Sequence, residues 1–136
     1  MGFVLDASMT LAWIFHDEKS DLANKVRDRL YTEEAVVPTL WSLEVGNALL
    51  VACKRKRLKA AEIPQLIQYI QALPIRFDAA TGQAGLGASL QLAHRYSLSL
   101  YDAAYLELAQ RLGLPLATLD SDLKKAAKQI RLAVLP

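Results

Sequence analysis

The chain has 136 residues, with 53% hydrophobic and 22% charged side chains and a net charge of +2. This composition excludes a disordered chain, and we expect residues 1–136 to form one domain around a single core. The apolar runs are too short to span a bilayer. The single cysteine, Cys53, excludes an intramolecular disulfide, and no basic leader precedes the first apolar run. We therefore expect a cytoplasmic protein without a membrane segment.

Short apolar runs, typical of buried strands, alternate along the chain with longer segments of helical spacing. In chain order the predicted strands cover 3–5, 35–38, 74–77, 116–119 and 132–134. The predicted helices cover 7–15, 20–31, 40–54, 60–73, 82–96, 101–112 and 121–128. Pro64 fits a first helical turn, and Gly113 fits a helix stop. The alternation and the continuous apolar character of the strands predict an α/β fold, with a parallel sheet covered by helices on both faces.

A glycine-rich segment over 82–87 superficially resembles a nucleotide-binding loop. It lacks the preceding strand and the glycine spacing of a dinucleotide fingerprint, and it has no lysine for a P-loop. We therefore discount nucleotide binding there, and expect a helix that its glycines weaken.

Four acidic residues lie where a predicted strand passes into a helix, namely Asp6, Glu44, Asp102 and Asp120. The carboxyl ends of parallel strands meet at one edge of a sheet, where such folds place their ligands. After Asp102 the helix rises about 15 Å and the extended chain returns about 20 Å to Asp120, so these two also share that edge. Carboxylates packed together repel one another unless a cation compensates them, so the pattern predicts a divalent-metal site.

Each of these acids also has an ordinary structural explanation. Asp6 and Asp120 suit helix N-caps, and Asp102 suits a first helical turn. Glu44 is harder to explain in this way because it interrupts an apolar helical face. Asp122 is a fifth candidate ligand, for which a solvated helix position is an equal alternative.

The donor set of this predicted site consists of carboxylate oxygens. The histidines, His16 and His94, lie away from the motifs, and we expect them on the surface. Oxygen ligands without histidine or thiolate favour Mg²⁺ or Mn²⁺ over Zn²⁺.

The densest charge run comprises Lys54, Arg55, Lys56, Arg57 and Lys59. Taken alone it is typical of a solvated helix end, where cations also suit the helix dipole. Near an acidic site, the same run together with Arg76 would attract a phosphate backbone.

The motifs around the four acids resemble those of PIN-domain ribonucleases, and specifically of VapC-type toxins from VapBC toxin–antitoxin pairs. The matching segments are Val4-Leu5-Asp6-Ala7-Ser8, Leu43-Glu44-Val45-Gly46-Asn47, Tyr101-Asp102-Ala103-Ala104-Tyr105 and Ala117-Thr118-Leu119-Asp120. They follow the family's order over nearly the whole chain. The glycine-rich segment departs from the family pattern, because that region is usually more helical.

The resemblance implies a three-layer α/β/α PIN-like fold with a parallel five-stranded sheet flanked by helices. It also implies an Mg²⁺- or Mn²⁺-dependent endoribonuclease whose metal ligands and catalytic residues are Asp6, Glu44, Asp102 and Asp120, with Asp122 as a less regular fifth acid. Ser8, Thr118 and Asn47 match positions that support such a site.

Partners and competing functions also follow from this resemblance. It implies an RNA substrate, a VapB-type antitoxin and a homodimer, and the candidates for an apolar groove that holds the antitoxin are Trp13, Leu22, Val26 and Trp41. All four residues fit an ordinary core as well. The alternatives are a housekeeping PIN nuclease in RNA processing and a catalytically silent metal- or RNA-binding module. A phosphatase is disfavoured because Asp6-Ala7-Ser8 lacks the second aspartate of the Asp-x-Asp pattern.

Overall fold

A parallel sheet forms the middle layer of the computed structural model, which describes residues 1–15 and 20–136. Within these ranges its strands are β1 (Gly2–Leu5), β2 (Glu34–Val37), β3 (Ile75–Phe77), β4 (Leu116–Ala117) and β5 (Val134–Leu135). They form one five-stranded sheet in the order β3-β2-β1-β4-β5, and every pair is parallel. The strand β1 lies at the centre and all four of its residues are buried.

The helices cover both faces of this sheet. In the described ranges they are α1 (Ala7–Ile14), α2 (Asp21–Asp28), α3 (Trp41–Lys54), α4 (Ile63–Gln71), α5 (Thr81–Gly85), α6 (Ala88–Tyr96), α7 (Leu100–Leu112) and α8 (Ser121–Gln129). The strand order moves one way from β1 to β3 and the other way from β4 to β5, so right-handed crossovers place α1–α4 and α5–α8 on opposite faces. The predicted three-layer α/β/α fold is confirmed.

Most predicted elements occur, and their boundaries differ for local reasons. The predicted helix over 60–73 divides into a 3₁₀ turn at Ala60–Glu62 and α4, whose first turn contains Pro64 as expected. The predicted helix over 82–96 divides into α5 and α6, because glycine disfavours a continuous helix. Gly113 ends α7 with a left-handed φ of 65°.

The core lies on both sides of the sheet, and two tryptophans contribute to it. Trp13 and Trp41 are each 4% exposed. The indole N–H of Trp13 donates to the backbone oxygen of Ala23, and that of Trp41 donates to the hydroxyl of Thr10. These bonds satisfy the polar atom of each ring and fix α1 against α2 and α3.

The four candidates for an antitoxin groove therefore do not line one common groove, although Trp41 also lines an apolar cavity beside α4 and β3. Trp13, Trp41 and Val26 are core residues, and only Leu22 is exposed. Cys53 is partly buried against the core, as a spectator thiol would be. None of the helices in the described ranges combines the length and apolar character that a membrane span needs.

Candidate active site

The predicted acids gather at the carboxyl edge of the sheet. Asp6 directly follows β1, and Asp120 follows β4 after two further residues. Glu44 and Asp102 lie in the first turns of α3 and α7, the helices that begin at the same edge. Asp122 lies in the first turn of α8.

Asp6 is the most buried of these acids, with 4% of its surface exposed. One carboxylate oxygen caps α1 by accepting from the backbone N–H of Met9 at 3.0 Å, and it also accepts from the Ser8 hydroxyl at 2.7 Å. The other oxygen accepts a hydrogen bond from the hydroxyl of Thr118. Both oxygens of Asp6 are therefore oriented by groups from β1–α1 and from the end of β4.

Ser8 and Thr118 join the two halves of this edge. The Ser8 hydroxyl accepts from the backbone N–H of Leu119, and the Thr118 hydroxyl accepts from the backbone N–H of Asp120, both at 3.0 Å. The two hydroxyls lie 3.4 Å apart. Each residue thus contacts both Asp6 and the chain that carries Asp120.

Asp120 caps α8, as the structural alternative predicted. Its Oδ1 accepts from the backbone N–H of Leu123 at 2.8 Å. Capping uses one carboxylate oxygen, so it does not exclude a ligand role for the other.

Glu44 is held by a residue of α7. The hydroxyl of Tyr105 donates to Oε1 of Glu44 at 2.5 Å, and Tyr105 itself is 1% exposed. Burial raises the pKa of the Tyr105 hydroxyl, and the bond to Glu44 raises it further, so this hydroxyl acts as a donor. The sequence analysis named Tyr105 only as part of a matching motif and gave it no role. A contact between α3 and α7 leaves no local signal in the sequence from which this role could be predicted.

Asp102 is half-buried in the first turn of α7. The N-cap of this helix is Ser99, whose hydroxyl accepts from the backbone N–H of Asp102 at 3.0 Å. Asp102 therefore does not cap its own helix. The structural alternative, a favourable position near the helix N-terminus, still applies to it.

The acids influence one another electrostatically. Burial raises the pKa of Asp6, Glu44 and Asp102. The negative charge of Asp120 raises the pKa of Asp6 and of Asp102 further. The charges of Asp102 and Asp6 raise the pKa of Glu44. The charge of Asp122 also raises the pKa of Asp102. Each of the five predicted acids thus interacts electrostatically with at least one of the others, and a cation would relieve this repulsion.

The oxygen-only donor set of these acids fits a hard divalent cation. Across residues 1–15 and 20–136, however, no three Asp, Glu, His or Cys side chains lie close enough together to hold a metal ion as they stand. Hydrogen bonds orient Asp6, Glu44 and Asp120 toward separate partners. His94 is exposed in the last turn of α6, and His16 lies outside the described residues.

One acid at this edge was missed. Asp78 follows β3 just as Asp6 follows β1, and the same signal would have found it. Arg111 donates two hydrogen bonds to Asp78, at 2.8 and 3.2 Å, and two more to Glu107. These bonds lower the pKa of Asp78, whereas the pKa values of Asp6, Glu44 and Asp102 are raised. The negative charge of Asp78 is therefore already balanced by the guanidinium of Arg111.

The basic run lies at the far end of α3 from Glu44. All five cations are exposed: Lys54, Arg55, Lys56, Arg57 and Lys59. Arg76 was expected at the rim of the acidic site together with this run, but its side chain pairs with Glu34 at the amino end of β2. In a parallel sheet that end lies opposite the acidic edge. Asn47 is exposed on α3, one turn after Glu44.

Comparisons with known proteins agree with this architecture. The family model described as PIN domain matches residues 3–129. Ribonuclease VapC3 from Pyrobaculum aerophilum is 30% identical over 127 residues, which are 90% of this chain and 92% of that protein.

Two solved structures share the fold. The crystal structure of PAE2754 from Pyrobaculum aerophilum has a TM-score of 0.68 and 24% identity, over 98% of this chain and 83% of that one. VapBC2 from Rickettsia felis, bound to a DNA fragment from its promoter, has a TM-score of 0.63 and 12% identity, over 98% and 97% of the two chains. On the family match and the ribonuclease relative, this chain belongs to the PIN-domain family and is a VapC-type member of it.

Proposed function

We propose that this protein is a divalent-metal-dependent endoribonuclease and the toxin of a toxin–antitoxin pair. The observation that carries the proposal is that Asp6, Glu44, Asp102 and Asp120 lie at one edge of the sheet, where the charge of a neighbouring acid raises the pKa of Asp6, of Glu44 and of Asp102. The similarity to a protein named Ribonuclease VapC3 supports the choice of RNA as substrate.

The cation would be held by the carboxylates of Asp6, Asp102 and Asp120. Glu44 would complete this set of ligands, and Asp122 is a further candidate ligand. PIN nucleases as a class use a divalent cation, and we propose Mg²⁺ or Mn²⁺ because every donor is a carboxylate oxygen. When bound, such an ion lowers the pKa of a coordinated water and offsets negative charge on a phosphate in the transition state.

The protein's own contribution is to orient these groups. Thr118 and Ser8 fix both oxygens of Asp6. Tyr105 occupies one oxygen of Glu44, which leaves the other to orient a water molecule toward the phosphodiester. Asn47 would assist from the next turn of α3. In the described chain, neither a histidine nor Cys53 contacts these acids, so no imidazole or thiol is assigned as a general base.

We propose a VapB-type antitoxin as the protein partner, and a homodimer as the assembly. The similar structure from Rickettsia felis is named VapBC2, which supports such a partner here. An apolar cavity of about 290 Å³ between α3, α4 and β3 supports a site for an apolar partner segment. Exposed leucines such as Leu43 and Leu50 would suit a dimer contact. A chain that stays monomeric at every concentration in light scattering would contradict the dimer.

The direct test is to incubate the purified protein with single-stranded RNA and Mg²⁺ or Mn²⁺, with a chelator as control. We expect internal cleavage that the chelator stops. Intact RNA in every condition would contradict the proposal and favour the silent module.

The toxin role is tested by expression in a growing cell. We propose a cytoplasmic location together with this role, because a toxin that cuts RNA acts where the RNA is. A toxin should stop growth unless its antitoxin is co-expressed. Cleavage in the tube together with normal growth would favour the housekeeping PIN nuclease.

A further inference from the structure

A groove runs between the packed helices α1 and α3, from Glu44 to the basic run. Its volume is about 310 Å³. Leu11 of α1 and Phe15, the C-cap of α1, form one wall. Glu44 and Val51 of α3 and Arg55, the C-cap of α3, lie along the other. The groove is therefore acidic at one end, apolar in the middle and basic at the other end.

Helical spacing explains why these residues line one groove. Positions 44, 48, 51 and 55 follow each other at intervals of three or four residues, so they lie along one face of α3 and its C-cap. Glu44 and Arg55 are three turns apart, which corresponds to about 16 Å along the helix axis. The groove thus connects the candidate active site to a cation well beyond it.

The five cations of the basic run differ in their position relative to this groove. Arg55 and Arg57 line it, whereas Lys54, Lys56 and Lys59 do not. The guanidinium carbon of Arg57 lies 4.5 Å from the centroid of the Phe15 ring, which anchors this side chain at the basic end. Arginine presents a planar fork of donors that matches a phosphate better than lysine does.

We propose that this groove holds the RNA strand beyond the phosphodiester that is cleaved, and that Arg55 binds a phosphate of that strand. The inference rests on the proposed function and adds to it a path for the substrate. A site built from carboxylates repels a polyanion, so a substrate strand leaving Glu44 needs a cation farther along its path. Charge complementarity at the basic end and an apolar floor for bases in the middle match single-stranded RNA.

The test compares Arg55→Gln with Lys54→Gln. These neighbouring substitutions remove the same charge from the same helix end, but only Arg55 lines the groove. Both are made in an Asp102→Asn protein, so that binding of labelled single-stranded RNA is measured by fluorescence anisotropy, in Mg²⁺ and over a salt series, without turnover. Thermal melting checks that the variants are folded.

We expect Arg55→Gln to weaken binding several-fold and to flatten the slope of log Kd against log salt by about 0.7, the share of one phosphate on a single strand. Lys54→Gln should change both quantities clearly less, and Arg55→Lys should restore most of the slope. Equal effects of Arg55→Gln and Lys54→Gln would overturn the proposed RNA path. The absence of RNA binding by the Asp102→Asn protein without either change would overturn it as well.

The failure of the proposed function has a different readout. If the otherwise unmodified protein does not cleave RNA but Arg55→Gln selectively weakens binding, the groove is supported and the nuclease assignment is overturned. If that protein cleaves RNA and the two Gln variants behave alike, the nuclease assignment is supported and the groove is overturned.

Discussion

The hydroxyl of Tyr105 donates a hydrogen bond to Oε1 of Glu44 at 2.5 Å, and this contact joins α7 to α3 across the acidic edge of the sheet. Tyr105 is buried, so its hydroxyl would lose its only described acceptor if Glu44 turned away. An unsatisfied buried hydroxyl costs about 1–3 kcal/mol. The contact therefore favours one orientation of Glu44.

Tyr105→Phe removes this hydroxyl and keeps the ring in the core. We expect RNA cleavage to fall about 10-fold or more, as is usual when a group that orients a metal ligand is lost, with only a small change in melting temperature. Tyr101→Phe is the matched control, because Tyr101 is in the same helix and is 65% exposed. In a Glu44→Gln protein the Tyr105→Phe change should have no further effect. A further loss there would mean that Tyr105 does not act through Glu44.

Thr118→Val tests the hydroxyl that links Asp6 to Asp120. Thr118 is fully buried, donates to Asp6 and accepts from the backbone N–H of Asp120. Valine has nearly the same shape but makes neither bond, so we expect a loss of about 1–3 kcal/mol in the free energy of unfolding, together with reduced cleavage. Thr32→Val is the control, because Thr32 is exposed and its described hydroxyl contact is a 3.4 Å bond to the backbone of Arg29. Denaturant unfolding that gives equal values for both variants would contradict this role.

Asp102→Asn should raise or preserve stability in the presence of a chelator. Burial and the charge of Asp120 raise the pKa of Asp102, so its ionised form destabilises the folded state. The destabilisation is fully present above the raised pKa, and it is relieved as the pH falls toward the ordinary value of 3.8. We therefore expect the advantage of the variant to be largest near neutral pH and to shrink on acidification. Melting temperatures from about pH 7 to about pH 4 measure this difference; an advantage that grows on acidification would contradict it.

Arg111→Met should destabilise the fold, because it leaves the carboxylates of Asp78 and Glu107 without their partner. Removing one member of a fully buried pair costs roughly 3 kcal/mol or more, and we expect about 2 kcal/mol here because solvent screens the partly exposed Arg111. Arg76→Met is the control, since the Arg76–Glu34 pair is exposed and worth about 0–1 kcal/mol. Equal denaturation midpoints for the two variants would mean that the Arg111 interactions contribute no more than a surface ion pair.

The order of strands and helices could be read from the sequence because the apolar runs and their breakers are local signals. The gathering of Asp6, Glu44, Asp102 and Asp120 followed from one topological rule, that parallel strands end at the same edge. The same rule applied to Asp78 would have found a further acid at this edge. Only its contact with Arg111, 33 positions along the chain, shows that it is already neutralised.

Contacts between distant segments could not be predicted in this way. The Tyr105–Glu44 bond joins residues 61 positions apart, and neither local propensity nor periodicity encodes it. Arg76 was misplaced because its partner, Glu34, lies 42 positions away along the chain and no local pattern indicates that pair. Helix boundaries near Gly85 and Pro64 shifted because backbone preferences there compete with the helical pattern.

The most direct test of the central claim is a calorimetric titration of Mn²⁺ into chelator-treated protein. The parent should bind the ion at a site that Asp102→Asn weakens by at least about tenfold, or about 1.4 kcal/mol. Asp21→Asn removes the same charge from the first turn of α2, and it should bind like the parent because Asp21 is not among the charges that shift the pKa of Asp6, Glu44 or Asp102. Equal Mn²⁺ affinities for Asp102→Asn and Asp21→Asn would show that the gathered carboxylates are not a metal site.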